Sequence, residues 1–250
     1  DTALKAKDRI GYLPEERGVY RKMKVADFLV HMAILKSVPR AEAKARVARW
    51  LDKVGLPEVA SKKCEELSKG MQQKVQFVSA VIHEPELLIL DEPFSGLDPV
   101  NMRLMKDLFL EQHARGTTVL FSTHQMHHAE QLCEHIVMIH DGCKVLDDPL
   151  AAIHARHQPR ALLFNPLDPA ADVAARFGGH RLVAGVTHED GRWRLQLADG
   201  VALADAVQGV AAHLAPSRLE LQRPTLEDIF VDIVTRGAGH AAFKEEELAA

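Results

Sequence analysis

Two adjacent carboxylates, Asp91 and Glu92, end the short apolar run Leu87-Leu88-Ile89-Leu90 and are followed at once by Pro93. A buried strand of a parallel sheet reads as continuous Leu and Ile, and acidic residues at its carboxyl end lie in the crevice where open α/β sheets take their ligands. That placement suits Mg2+ and, through the metal, the phosphates of a nucleotide. The same run also reads as a core strand that stops in a solvated acidic turn, so the neighbouring segments decide between the two.

Further segments carry chemistry of the same kind. Leu67-Ser68-Lys69-Gly70-Met71-Gln72 opens a helix whose apolar side is Met71, Val75, Val78 and Ile82. A helix start turns unpaired amides and a positive dipole end outward, Gly70 permits close backbone approach, and Ser68 adds a hydroxyl, which together make an anion site. Ser95-Gly96-Leu97-Asp98-Pro99 leads into a second helix, and Ser122-Thr123-His124 closes a strand. In isolation Ser68-Gly70 and Asp98-Pro99 read equally as ordinary capped helix starts. His124 with His127 and His128 has a spacing that metal sites use, but no third carboxylate or Cys ligand stands nearby, and the remaining histidines are scattered as solvated surface positions are.

The elements that must position these residues follow from periodicity. A strand is expected at Arg9–Leu13, then a loop from Pro14 to Tyr20. A helix at Val25–Lys36 carries Phe28, Leu29, Met32 and Leu35 at helical spacing, and another after Pro39 carries Ala43, Val47, Leu51 and Val54 until Gly55 and Pro57 close it. After the apolar strand, strands and helices alternate, the pattern of a parallel sheet with crossovers: a helix from Pro99 to about Arg115, a strand at Thr118–Ser122, a helix at Gln125–Glu134. A hairpin joins Ile136–Ile139 to Lys144–Leu146 through Asp141-Gly142, and Asp148-Pro149 reads as cap and first turn of a helix to about His157. Beyond Pro159 alanine and glycine rise. The expected order there is strand Arg160–Phe164, helix Pro169–Phe177, strand Arg181–Thr187, a turn at Asp190-Gly191, strand Trp193–Leu197, helix Leu203–Leu214 and strand Arg218–Leu221, the β-α-β-β-α-β unit of ferredoxin-like folds. Thr225-Leu226-Glu227-Asp228 caps a last helix, and little holds down the tail after Gly237.

Composition bounds the function. At 250 residues with 47% hydrophobic and 26% charged content the chain can bury a large core. Its net charge of -4, with signs interspersed, offers no field for nucleic acid. No apolar run approaches the ~18–20 residues of a membrane span. Cys64, Cys133 and Cys143 are far apart and form neither a disulfide framework nor a zinc spacing, which fits a reduced, cytoplasmic setting.

Taken in order, Leu67-Ser68-Lys69-Gly70-Met71-Gln72, Leu87 to Pro93, Ser95 to Pro99 and Ser122-Thr123-His124 resemble the signature motif, Walker B strand, D-loop and switch histidine of ATP-binding cassette (ABC) ATPases. The resemblance covers about residues 9–157, with Pro14-Glu15 at the Q-loop position. It implies an α/β fold with a partial P-loop NTPase core at 1–157, a helical subdomain at about 15–85, a small α+β ferredoxin-like accessory domain with a terminal helix at 158–236, and a tail at 237–250. The roles it implies are Mg2+ support by Asp91 and Glu15, a general base at Glu92, and contact of His124 with the γ-phosphate or attacking water. Ser68, Lys69, Gly70 and Gln72 would grip ATP held by the opposite subunit, and Asp98 would link the two sites of a homodimer or heterodimer. Ile10 to Gly18 together with Leu67 to Lys74 resemble the ATPase subunits of bacterial sodium or drug exporters in particular. Membrane permease subunits would then be driven through Glu15 to about Leu56, with the chain on the inner face of the cell membrane.

Three departures qualify this. Lys69 replaces the second Gly of the usual signature, although its amide remains and a cation beside phosphate is acceptable. Glu15 stands where Gln is usual and brings negative charge toward the γ-phosphate. No GxxxxGK(S/T) occurs, so the loop that cradles the α and β phosphates is lacking, as is the upstream aromatic that stacks on adenine. Because the chain opens on Asp1 just before the Q-loop, truncation is the expected reason, and ATP turnover is expected only of a longer protein. The competing readings are a soluble ABC ATPase of translation or repair and a noncatalytic module without a P-loop. Against the first, no long heptad insertion separates Glu15 from Ser68. Against the second, Asp91, Glu92 and His124 are all retained.

Overall fold

In a computed structural model the described residues are 7–16, 18–157, 159–189 and 191–237. The chain divides into two compact units, residues 1–125 and 126–250. The domain limit expected at 157/158 falls inside the second.

The first unit is built on a three-stranded parallel sheet in the order β1 (Ile10–Leu13), β2 (Leu87–Asp91), β3 (Thr118–Ser122). Register places Leu13 beside Leu90 and Asp91 beside Ser122, so all strands end at one edge. Between β1 and β2 the chain makes α1 (Val25–Leu35), α2 (Arg40–Lys53), two short turns of 3-10 helix at Pro57–Val59 and Cys64–Glu66, and α3 (Lys69–Val81). Between β2 and β3 runs α4 (Pro99–Ala114). The core is a chain of aromatic rings: Trp50 of α2 on Phe77 of α3, Phe77 on Phe109 of α4, Phe109 on Phe94, and Phe94 on Phe121 of β3, at centroid separations of 5.2–6.2 Å. Trp50 was not part of the expected apolar stripe of α2, yet it joins the helices to the sheet.

Two further expectations change. The β2 run reads as buried on both faces, but Leu88 and Leu90 are buried while Leu87 and Ile89 are only half-buried, because among the described residues the helices cover one face. On the other face Tyr12 and Leu120 flank Ile89 and are exposed. Helix α3 is also buried well beyond one stripe: every residue from Val75 to Ile82 is buried. It lies so close to β1 that a Cβ on Gly11 would fall 2.1 Å from the Ala80 carbonyl oxygen.

In the second unit, α5 (Met126–Leu132) precedes an antiparallel hairpin of β4 (His135–His140) and β5 (Cys143–Pro149), then α6 (Leu150–Arg156). Because β5 runs on to Pro149, Asp148 is a strand residue facing Ile136; it pairs with Arg156 at 2.5 Å instead of capping α6. There follow β6 (Ala161–Pro166), α7 (Val173–Phe177), β7 (Val183–Glu189), β8 (Arg192–Leu197), α8 (Leu203–His213), β9 (Pro216–Gln222) and α9 (Leu226–Gly237). The antiparallel sheet has the order β7-β8-β6-β9. Helix α7 starts later than expected because Asp168 accepts from the Ala170 amide in a turn and Asp172 is the cap, accepting from the Ala175 amide. Phe164 is fully buried and Trp193 packs on the same core, as filler residues do. The expected turn residue Asp190 and the tail from 238 onward lie outside the described residues.

Gly11→Ala is expected to lower the stability of the chain by about 1–3 kcal/mol, since backbone rather than a yielding side chain opposes the added carbon; urea denaturation measures it, and an unchanged midpoint would contradict the close approach. His83 gives a pH dependence. Its Nε2 donates to the Ile10 carbonyl at 3.2 Å, and burial, aided by Lys36, pushes the imidazole from 6.5 down to about 4. Between those values the unfolded chain binds a proton that the folded chain refuses, so stability falls as pH drops from about 6.5 toward 4 and is indifferent to this group above. Denaturation midpoints at pH 7 and 5 should therefore fall further for the native chain than for His83→Gln.

Candidate functional site

The carboxyl edge of the parallel sheet gathers the acidic residues. Asp91, the last residue of β2, accepts a hydrogen bond from the Ser122 hydroxyl at the end of β3. Glu92 follows with φ of +43°, left-handed backbone that a glutamate adopts at a cost. Its amide donates to the Ser122 carbonyl at 3.1 Å, so the strained residue is tied to the neighbouring strand. The turn directs its carboxylate across to the next strand's end. Oε1 accepts from the His124 amide and meets His124 Nδ1, both at 2.7 Å, and Oε2 accepts from the Thr123 hydroxyl at 3.2 Å. The Glu92 side chain is 13% exposed and that of His124 76%. An ionised carboxylate only accepts, so the shared proton sits on Nδ1, and in the neutral imidazole Nε2 is left as an acceptor toward solvent.

Glu15 lies just beyond β1, on the same edge, and is exposed. Its loop is held from beneath: Gln76 of α3 donates to the carbonyls of Pro14 and Glu16 at 3.2 and 3.1 Å. Gln73 of the same helix donates to the Pro93 carbonyl at 3.3 Å, behind Glu92. Both glutamines are 3% exposed. Neither was singled out from the sequence; the available signal was a pair of amides three residues apart on a helix otherwise buried by apolar groups.

The start of α3 carries the other candidates. Ser68 is its cap, accepting from the Met71 amide at 3.3 Å, and Ser68 and Lys69 are exposed. A Cβ on Gly70 would meet only Asn101 Nδ2 at 3.5 Å and Leu97 Cδ2 at 3.8 Å, which is ordinary contact, so the fold does not require glycine there. Gln72 is turned inward: its amide donates to the carbonyls of Cys64 and Leu67, both at 3.1 Å, and fixes the turn that enters the helix. Asp98 caps α4, accepting from the amides of Val100 and Asn101 at 3.0 Å and from the Asn101 side chain. Hydrogen bonds from Asn101 hold its carboxyl below the usual range. Of the residues expected to bind nucleotide, Ser68, Gln72 and Asp98 thus have side-chain polar groups engaged by their own chain, whereas Lys69 is exposed and Gly70 lies open.

Among the described residues no cluster of three His, Cys, Asp or Glu side chains stands ready to hold a metal. The donor set at the sheet edge fits Mg2+ all the same, because that ion is held by one or two carboxylates with waters and substrate phosphates. Asp91, oriented by Ser122, and Glu15 would be the residues to hold it. No helix among the described residues is long and apolar enough to cross a membrane.

Comparison with known proteins places this geometry. The family model described as "ABC transporter" matches residues 1–95. An uncharacterized ABC transporter ATP-binding protein of Bacillus subtilis is 40% identical over 235 residues, 91% of this chain and 75% of that protein. A fluoroquinolones export ATP-binding protein of Mycobacterium tuberculosis is 33% identical over 230 residues, 92% of this chain and 69% of that protein. A solved ATP-binding subunit of an ABC transporter superposes with a TM-score of 0.56 at 33% identity, over 60% of this chain and 62% of that one. The chain belongs to the ABC transporter ATP-binding proteins. It spans less than two thirds of that solved subunit.

Gln76→Leu removes both donors from the Glu15 loop, and a loss of about 1–3 kcal/mol in stability is expected. Hydrogen exchange at residues 18–20 should rise above that at β2; equal protection in variant and native chain would show that Gln76 does not hold the loop.

Proposed function

We propose that the chain supplies the hydrolytic edge of the ATPase subunit of an ABC exporter. The observation that carries the reading is Glu92, set in a strained left-handed turn beside Asp91, with its carboxylate aimed by Thr123 and His124 across two strand ends. In this reading Asp91, with Glu15 in support, holds the Mg2+ of MgATP, and the ion neutralises charge on the phosphates when bound. Glu92 Oε2, which among the described residues has only the Thr123 hydroxyl as partner, accepts a proton from the attacking water as general base. His124 is kept by Glu92 in the tautomer whose Nε2 can accept, so it orients water or, once protonated, donates to the γ-phosphate.

Ser68, Lys69 and Gly70 at the amino end of α3 offer amides and positive charge to the γ-phosphate of a nucleotide bound by a second subunit, which makes a dimer of ATPase subunits the working form. Gly70 supports this, because an open glycine that the fold does not need leaves room for a ligand. Gln72 and Asp98 act by shaping the two helix starts. In this reading ATP turnover belongs to an enzyme that also carries a GxxxxGK(S/T) loop, a motif these 250 residues do not contain. Permease subunits would dock on the Glu15 loop and the helices to about Leu56 from the inner face of the membrane. Export is the favoured direction because the mycobacterial relative is named for export of fluoroquinolones. The βαββαβ domain of the second unit is ferredoxin-like, with β6 and β8 at the centre of its sheet.

The test is Glu92→Gln in the gene product that carries this chain, expressed with the membrane protein encoded beside it. ATPase activity should fall at least about 100-fold while ATP-dependent dimerisation survives. Unchanged turnover would remove Glu92 from the role of base, and failure of any membrane protein to copurify would remove the transport reading.

A further inference from the structure

The ferredoxin-like sheet of the second unit ends in two edge strands, β7 and β9. Backbone parity shows what β9 offers there. The Leu197 amide of β8 donates to the Arg160 carbonyl at 2.8 Å, so even-numbered residues of β6 turn their amides and carbonyls toward β8 and odd-numbered ones toward β9. Register then has Ala161, Leu163 and Asn165 bond to Gln222, Glu220 and Arg218. Leu219 and Leu221, lying between these, point their amides and carbonyls away from the sheet, where among the described residues no backbone group meets them. Their side chains lie on the core face, in register with Phe164 and Leu162, and Leu221 is 38% exposed. Arg218 and Glu220 project from the opposite face, are exposed, and pair with each other at 2.7 Å.

Open amides on an edge strand are a template for another strand, and the side chains decide which. Laid antiparallel on a second copy of itself about a two-fold axis at Leu219, β9 sets Leu219 against the partner's Leu219, Ser217 against the partner's Leu221, and Arg218 against the partner's Glu220 with the reciprocal pair beside it. Leu219 then forms a hydrogen-bonded pair through its outward amide and carbonyl. Arg218 and the partner's Glu220 form a non-bonded pair, the kind in which side chains come closest, with Cα atoms about 4.5 Å apart. Pro216, which has no N–H, also falls in a non-bonded pair, opposite the partner's Gln222, and loses nothing. An axis at Leu221 instead would set Glu220 against Gln222 and Arg218 against Pro224, with no ion pair. The other edge lacks such a match. Strand β7 shifts register between Val183 and Gly185, and about its outward Val186 it would set Gly185 against Thr187 and Ala184 against His188.

We propose that β9 is a contact between two copies of this chain, which join their four-stranded sheets edge to edge into one antiparallel sheet, with the register selected by the reciprocal Arg218–Glu220 pairs. The contact covers the exposed Leu221 and uses the outward amides and carbonyls of Leu219 and Leu221. An edge of this length buries less than the roughly 1,200 Å2 of standard interfaces, so the association is weak by itself.

The proposal is independent of the ATPase reading, whose dimer requires ATP, and its test uses no nucleotide. Sedimentation equilibrium of the chain at low ionic strength, from about 10 μM to about 1 mM, should show monomer and dimer in exchange. Arg218→Glu and Glu220→Arg, each alone, set like charges opposite one another and should weaken the dimer at least about fivefold. The double variant should restore it. So should an equimolar mixture of the two single variants, because acid again meets base when the strands run antiparallel about Leu219. Circular dichroism verifies that the variants are folded. Hydrogen exchange gives a second readout: the amides of Leu219 and Leu221 should slow as concentration rises, while that of Glu220, already bonded to β6, should not. The proposal fails if the chain stays monomeric up to about 1 mM, if the single variants associate as the native chain does, if neither the double variant nor the mixture restores the dimer, or if the Leu219 and Leu221 amides exchange alike at all concentrations.

Discussion

Three side-chain amides on one helix hold the site together. Gln72, Gln73 and Gln76 of α3 donate to the backbone of three different segments: the turn before the helix, the Pro93 carbonyl behind Glu92, and the carbonyls flanking Glu15. Loop carbonyls near a core must find donors, and here one rigid element supplies them. A shift of α3 therefore moves the Glu15 loop, the Glu92 turn and the exposed Ser68-Lys69-Gly70 start as a set. The position of α3 is in turn fixed by steric contact, since Gly11 lets the Ala80 carbonyl sit against β1 where any side chain would collide.

Around that anchor the edge of the sheet divides the work. Asp91 keeps regular strand geometry and accepts from the Ser122 hydroxyl, which fixes its carboxylate at the strand end. One residue later the backbone turns left-handed, and the carboxylate of Glu92 points sideways along the edge to Thr123 and His124. Such a turn costs of order 1–3 kcal/mol for a residue with a side chain. It persists because the Glu92 amide is bonded to Ser122 and the carboxylate to the next segment, and because Phe94 seats the chain on Phe109 and Phe121 directly afterward. Two neighbouring acids thus acquire different directions from a single dihedral.

Much of this was legible in the sequence, and for a physical reason. Apolar runs, helix caps and strand-end acids are local patterns, so β2, β3, α4 and the signature start of α3 emerge at nearly their observed limits. What escaped was non-local. Gln73 and Gln76 look like surface amides until the loops that accept from them are placed, and Trp50 falls outside the apolar stripe of its own helix until Phe77 arrives opposite. The left-handed turn at Glu92 has no glycine or asparagine to announce it. Asp148 failed as a cap because hairpin pairing, which depends on β4, extends β5 through it.

The residues that resemble family motifs separate by what the fold already explains. Gln72 and Asp98 are fully accounted for by hydrogen bonds to their own helix entrances, so their residue types would be useful with no ligand present. Gly70 is different. Its backbone lies outside the left-handed region, and a Cβ would meet only ordinary contacts, so neither conformation nor packing within the chain calls for glycine. A helix start leaves amides unpaired, the groups an anion approaches, and the proposed phosphate contact at Gly70 rests on that opening. Lys69, exposed beside that helix start, places its positive charge at the end of the helix dipole that is already positive.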